Sequence, residues 1–178
     1  TRDLPTGEIG ELMVHGPVVT RQYVTRTEAN ALHKVVDRDG SVWHRMGDVG
    51  YLDAQDRFWF CGRKMQRVIT PRGTMFTIPC EAIANGHPHV FRSALVGIGE
   101  PGEQRPVMIV ELWPEHRPRS GVDERRLITE LLDLLAAHPL TIGIRDILIH
   151  PSMPVDIRHN AKIFREQLAP WAARQLRS

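Results

Sequence analysis

The chain has 178 residues, 42% hydrophobic and 25% charged, a globular composition with enough length to bury a core in one or two domains. Its 23 Lys and Arg against 21 Asp and Glu leave a formal charge of +2, without the clustered basic excess of a dedicated nucleic-acid binder. Apolar runs such as 94-ALVGI-98 and 131-LLDLLAA-137 are too short for a transmembrane segment, and the polar start 1-TRDLPTGEIGE-11 does not read as a signal peptide. The first residue is Thr rather than Met, as expected of a piece of a longer chain.

The first third reads as short strands and turns. Residues 8-EIGELMVHG-16 alternate apolar and polar, the pattern of a half-buried strand that Gly16-Pro17 ends. Two further strand-like runs, 49-VGYLD-53 and 58-FWFCG-62, flank the polar turn 54-AQDR-57 and predict a hairpin. If Ala54 opposes Arg57 across Gln55-Asp56, the same register brings Asp48 opposite Arg63 at the open end of the ribbon. A one-residue slip would put the two on opposite faces. A carboxylate beside a guanidinium has two readings. One is a plain cross-strand ion pair, which the pattern alone favours. The other is a polar clamp, in which Asp accepts from vicinal hydroxyls and Arg donates to ribose or phosphate oxygens.

From about residue 65 the pattern changes. A second short hairpin is predicted around 71-PRG-73, with 67-RVIT-70 and 74-TMFTI-78 as arms. Pro79 at a first helical position then opens a short helix, 80-CEAIANG-86, closed by Gly86. Strands follow at 92-RSALVGIG-99 and 106-PVMIVELW-113. Leu127, Leu131, Leu134 and Leu135 form the apolar stripe of a helix over 124–138 that Pro139 stops. After a strand at 144-IRDILIH-150, the stretch 154-PVDIRHNAKIFREQLAPW-171 reads as a proline-bounded loop turning into an amphipathic helix. Phe164, Leu168, Trp171 and Ala172 line one face of that helix, and Pro170 is expected to kink it. Lys162 falls at the helix start, where the positive end of the dipole disfavours it. The order is β-rich to about 63, then ββαββαβα, an α+β arrangement. The two cysteines, Cys61 and Cys80, sit in apolar surroundings as buried free thiols, which fits a reducing cytoplasm. The pair in 87-HPH-89 reads as loop rather than metal site.

Four segments, in order, resemble the motifs of one superfamily. Residues 7-GEIGELMVHGPVVTRQYVTRTEAN-30 resemble G-E-L-x-V-x-G-P followed by Tyr and a helix start. Residues 45-RMGDVGYLD-53 resemble R-T-G-D-L-x-x-x-D. The run 62-GRKMQRVITPRG-73 with 79-PCEAI-83 resembles G-R-x-D/K…G…P-x-E-I-E, and 160-NAKIFREQL-168 resembles S-G-K-I-x-R-R-x-L. Together they resemble the C-terminal part of an adenylate-forming enzyme, the superfamily of acyl-CoA synthetases, peptide-synthetase adenylation domains and luciferases.

That resemblance implies a fold and a site. Residues 1–64 would be the β-barrel-like end of a large lobe, and 65–178 a small mobile lobe of three-stranded sheet, helices and a short hairpin. Asp48 would bind the ribose hydroxyls of ATP, Arg63 its ribose and phosphate side, and Lys162 would bridge substrate carboxylate and α-phosphate. The hinge would fall at Lys64 and Met65, although the family usually has Asp or Lys at the position of Met65. ATP and Mg²⁺ are the implied cofactors, with the metal ligand and the acyl pocket upstream of Thr1. Met46 for Thr, Ala161 for Gly, and a longer loop before Lys162 resemble a subgroup, the β-lactone synthetases of bacterial olefin biosynthesis. This subgroup implies activation of a long-chain 2-alkyl-3-hydroxy fatty acid as acyl-AMP and closure to a β-lactone, with other olefin-pathway enzymes as partners. The alternatives are a fatty acyl-CoA or acyl-AMP ligase, or a non-catalytic binding module docking through the Arg-rich final helix. The chemistry explains the Lys: charge growing on the α-phosphoryl group needs a fixed cation in a water-excluded site. A 3-hydroxy acid carries its own tethered nucleophile, so ring closure gains from proximity.

Overall fold

A computed structural model describes residues 3–177, the side chains of 159–161 excepted. Its contacts divide the chain into Thr1–Met65 and Gln66–Ser178. In the first unit β1 (Gly10–Val14), α1 (Thr27–His33), β2 (Lys34–Val36), β3 (Val42–Leu52) and β4 (Phe58–Arg63) follow one another. Strand β3 pairs antiparallel with β1, β2 and β4. Helix α1 and strand β2 occupy a stretch where hydrophobic periodicity is weak. A polar side chain supports the turn before them: Asn30 Oδ1 accepts from Tyr23 N at 2.6 Å and Asn30 Nδ2 donates to Tyr23 O at 3.1 Å.

The β3–β4 hairpin corrects the predicted turn while keeping the predicted pair. Leu52 opposes Phe58, so the loop is Asp53–Arg57 rather than the two residues Gln55-Asp56. The cause is Asp53. Its Oδ1 accepts from Gln55 N and Arg57 N, and its Oδ2 from Arg57 Nε and Trp59 Nε1. This side chain organises a wider turn than the dipeptide signal implies, with Asp56 at φ 57 in the left-handed region. Further along, a β-bulge between Val49 and Gly50 shifts the register by one, so that Val49 opposes Gly62 and Asp48 opposes Arg63. Gly50 permits the close approach: a Cβ there would lie 2.2 Å from Trp59 O and 2.6 Å from Phe58 Cζ.

The second unit is built on a three-stranded sheet. The hairpin β5 (Val68–Thr70) and β6 (Gly73–Met75) leads to α2 (Thr77–Asn85), β7 (Val90–Ile98) and β8 (Arg105–Leu112). Then come α3 (Gly121–Ala136), β9 (Asp146–Ile149), β10 (Val155–Asp156), β11 (His159–Ile163) and α4 (Arg165–Gln175). Strand β8 is central, antiparallel to β7 and parallel to β9, and α3 makes the crossover that the parallel pair requires. Both faces of the sheet are covered, so β7 and β8 read as near-continuous apolar runs. Leu95, Met108, Val110 and Leu112 pack with Cys80, Ala84, Leu127, Leu131 and Leu135 from α2 and α3. Ala94, Val96, Val107 and Ile109 point the other way, onto Ile163, Leu168 and Ala172. The strict alternation is the pleat of the strands.

Helix α3 begins where chemistry dictates: Ser120 Oγ accepts from Asp123 N at 3.2 Å, an N-cap preceding the apolar stripe. Leu127, Leu131 and Leu135 are buried, each contributing roughly 1.5–3 kcal/mol of transfer free energy. Leu134, counted in the stripe from the sequence, lies on its half-buried shoulder. Two boundaries differ from expectation. Helix α2 starts at Thr77, so Pro79 is its third residue; that position still lacks an intrahelical acceptor for its N–H, which makes Pro harmless there. The loop expected before the final helix contains instead a two-stranded ribbon, β10 with β11, joined by Ile157-Arg158. Lys162 therefore lies in a strand, not at a helix start, and the dipole argument does not apply to it. The apolar stripe of α4 does form, through buried Leu168 and Ala172, and Trp171 meets the His150 ring edge-on at 4.5 Å. Pro170 lies inside this helix.

Candidate nucleotide-binding and catalytic residues

Strand pairing brings Asp48 and Arg63 together. Arg63 Nη1 stands 2.9 Å from Asp48 Oδ1 and donates to Met46 O at 3.2 Å. The two side chains differ in exposure, with Arg63 at 58% and Asp48 at 19%. Asp48 Oδ1 is buried and receives no aligned hydrogen bond, despite the nearby guanidinium. It is an acceptor with unused capacity beside an exposed cation, the chemistry required to hold a vicinal diol next to a phosphate.

The segment after Arg63 is a 3₁₀ turn, Lys64–Gln66. Lys64 Nζ donates to Glu11 Oε2 at 2.7 Å, and Arg45 pairs with the same carboxylate. Burial acts to raise the Glu11 carboxyl, but the hydrogen bonds from Arg45 and Lys64 prevail and hold it below its usual range. Lys64 is thus tied to the first unit, whereas Met65 is 92% exposed. The division of the chain after Met65 falls at the predicted hinge segment.

Lys162 lies in the second unit, on β11. Its neighbour Ile163 is buried in the core, and strand alternation turns Lys162 outward, where it is exposed. Its Nζ lies 5.9 Å from the centroid of the Phe164 ring. At the other end of the ribbon, Asp156 accepts from Arg158 N and Arg158 Nε. Those hydrogen bonds, with a smaller contribution from the Lys162 charge, lower the Asp156 carboxyl.

Two charged side chains escaped assignment from the sequence. Glu81 and Arg165 form a buried pair in which a single guanidinium nitrogen, Arg165 Nη2, donates to both carboxylate oxygens at 2.8 Å. Burial raises the Glu81 carboxyl, against the opposing pull of Arg165. A lone Glu between Cys80 and Ala84 on the buried face of α2 was the available signal, since a charge on such a face needs a partner.

No family model matches the chain. Among solved structures, the o-succinylbenzoate coenzyme A synthetase of Bacillus subtilis, in complex with ATP and magnesium ion, superimposes with a TM-score of 0.72 at 26% identity, covering 94% of this chain and 32% of that one. The amide bond synthetase of Marinactinospora thermotolerans gives 0.74 at 23% identity, over 94% and 32%. The α+β fold and the sequence resemble the C-terminal part of enzymes of the adenylate-forming superfamily. The chain is 51% identical over 178 residues to the olefin beta-lactone synthetase of Xanthomonas campestris pv. campestris, and 49% identical over 179 residues to that of Stenotrophomonas maltophilia. Each alignment covers 98% of this chain and 32% of the relative, so the chain spans about a third of the length of these proteins. The crotonobetaine/carnitine–CoA ligase of Escherichia coli is 33% identical over 100 residues, 54% of this chain. Among the described residues no helix is long and apolar enough to cross a membrane.

Proposed function

We propose that the chain is the C-terminal part of an ATP-dependent enzyme that activates a long-chain 2-alkyl-3-hydroxy fatty acid as acyl-AMP and closes it to a β-lactone. The observation carrying this reading is the similarity to two olefin beta-lactone synthetases over nearly the whole chain, at about half identity. The under-used Asp48 acceptor beside exposed Arg63 agrees with it. In this reading Asp48 accepts hydrogen bonds from the ribose hydroxyls, and Arg63 donates to the ribose and phosphate side. Lys162 supplies the cation against which negative charge grows at the α-phosphoryl group. Its exposure on a ribbon suits a charge delivered for one half-reaction and withdrawn for the next. The 3-hydroxyl then attacks the acyl carbon, AMP leaves with the bonding pair, and the hydroxyl proton passes to a base. In this reading Mg²⁺ accompanies ATP, and its protein ligands lie in the remainder of the enzyme. Lys64 and Met65 form the hinge, the enzyme works in the cytoplasm, and other olefin-pathway enzymes supply and consume its acyl compounds.

An acyl-CoA ligase is the second reading, favoured by the coenzyme A ligases among the relatives. Full-length protein given a 3-hydroxy acid and ATP without coenzyme A separates the two. Lactone with stoichiometric AMP and pyrophosphate is the expected result, and strict dependence on coenzyme A would refute it. Lys162→Ala should lower pyrophosphate formation roughly 100-fold or more. Undiminished adenylation would exclude Lys162 from the chemistry.

A further inference from the structure

Arg165 lies three residues beyond Lys162, at the start of α4. Its side chain is only 14% exposed, and that of Glu81 7%. The guanidinium gathers separate parts of the second unit. Nη2 holds both Glu81 oxygens on α2, while Nη1 donates to Gln66 Oε1 at 3.3 Å. Glu81 Oε1 also accepts from Leu95 N, on β7, at 2.8 Å. Gln66 is the first residue after the division of the chain.

This pair is a poor device for stability alone. Two charges have been removed from water, and Arg165 Nε is buried with no partner. Apolar residues of similar volume serve a core at least as well. A guanidinium held at Nη2 by Glu81 and at Nη1 by Gln66 does supply fixed position and direction. The ribbon it abuts needs that. Strand β10 has two residues, the β10–β11 pairing is bulged, and a two-stranded ribbon is marginal by itself. The ribbon is also anchored by Ile163 in the core and Val155 packed against it, by buried Met153 just before the ribbon, and by the Phe164 N–H bonded to Pro154 O at 2.9 Å.

We propose that Arg165 is a positioning residue for Lys162. Clamped by Glu81 and Gln66, it fixes the end of the strand from which Lys162 projects and ties that strand to the segment just after the hinge. The proposal rests on the assignment of Lys162 to adenylation, and the experiment separates the two ideas.

In full-length protein, Glu81→Gln combined with Arg165→Met replaces the pair without stranding a charge and keeps an acceptor for Leu95 N. Pyrophosphate release from ATP and the 3-hydroxy acid reads the Lys162-dependent step. Conversion of separately synthesised acyl-adenylate to lactone reads the step after it. The double variant is expected to lose on the order of 100-fold in kcat for pyrophosphate release, the size of effect that about 1 Å of misplacement produces. Its KM for ATP and its rate on supplied acyl-adenylate should stay within about twofold, and it should add nothing to Lys162→Ala because both act through one group. Gln66→Ala, which removes a single half-buried hydrogen bond, should show the same split at smaller size and covers the case in which the double variant fails to fold. Equal losses in both steps, a further loss on top of Lys162→Ala, or no loss would overturn the positioning role. Normal adenylation by Lys162→Ala alone would overturn the assignment beneath it.

Discussion

Replacing Gly50 by Ala is expected to break the link between sheet register and the Asp48–Arg63 pair. The added Cβ would stand 2.2 Å from Trp59 O, a backbone atom, and 2.6 Å from Phe58 Cζ. A contact that close to a backbone oxygen cannot be relieved by a rotamer change; β4 must move. Overpacking typically costs about 1–3 kcal/mol, and a backbone clash belongs at or above the top of that range. The bulge that shifts the register sits between Val49 and Gly50, so its loss would also turn Asp48 away from Arg63. Two readouts should therefore change together in full-length protein. The urea midpoint should fall by the equivalent of ~3 kcal/mol at constant slope, and ATP affinity should drop. Gly10→Ala is the control: Gly10 opposes Gly50, but its Cβ would meet the flexible tip of Leu4 at 2.4 Å. It should cost under ~1 kcal/mol and spare nucleotide affinity. If Gly50→Ala binds ATP normally with an unchanged midpoint, the bulge does not hold the pair.

The remaining predictions concern single side chains. Arg63→Lys keeps a charge but loses the fork, and should weaken ATP binding roughly tenfold in titration calorimetry; unchanged affinity would remove Arg63 from the nucleotide site. Asp53, held to about 2 chiefly by the Trp59 N–H and then by donors of its own turn, gives stability that is complete above about pH 4 and lost as pH falls through about 2. Asp53→Asn should accordingly flatten the acid limb of the stability profile, and an Asp53 carboxyl titrating near 4 by NMR would contradict the turn described. Burial, with Glu81 adjacent, pushes the Cys80 thiol up to about 12, so native protein at pH 8 should leave Cys80 unmodified by iodoacetamide while urea exposes it. Rapid native labelling of Cys80 would count against its core position. Leu131→Ala, at a fully buried site between α3 and the sheet, should cost ~3–4 kcal/mol by equilibrium unfolding, several times the loss from Leu134→Ala.

Much of this architecture could be read from periodicity because burial leaves a period. The strands expected at 92–99 and 106–113 and the helix expected at 124–138 fall within a few residues of β7, β8 and α3, because apolar runs and a 3.6-residue stripe mark them. The β10–β11 ribbon was not legible, because two paired residues are too few to leave a pattern and Pro154 argued for loop. The hairpin shows how a right pair can follow from an incomplete argument. The expected turn was one residue out, the bulge was unforeseen, and the two displacements cancelled before Asp48 and Arg63. Glu81 and Arg165 are far apart in sequence, and only tertiary packing reveals that each answers the other's charge. The roles of Asp48, Arg63 and Lys162 came from motif resemblance, since an ion pair and an exposed Lys look ordinary by themselves.

The four tryptophans divide evenly, with Trp43 and Trp59 before the division at Met65 and Trp113 and Trp171 after it. Two of them carry chemically distinct neighbours. Trp59 donates its indole N–H to a carboxylate, so its emission should shift only in strong acid, when Asp53 protonates. Trp171 lies against His150, an imidazole that burial keeps neutral below its usual range and that quenches indole fluorescence once it gains a proton. The two halves of the chain therefore hold native optical reporters that titrate at different acidities. Variants retaining only one tryptophan from each half would let lobe-specific events be timed during turnover without an attached dye.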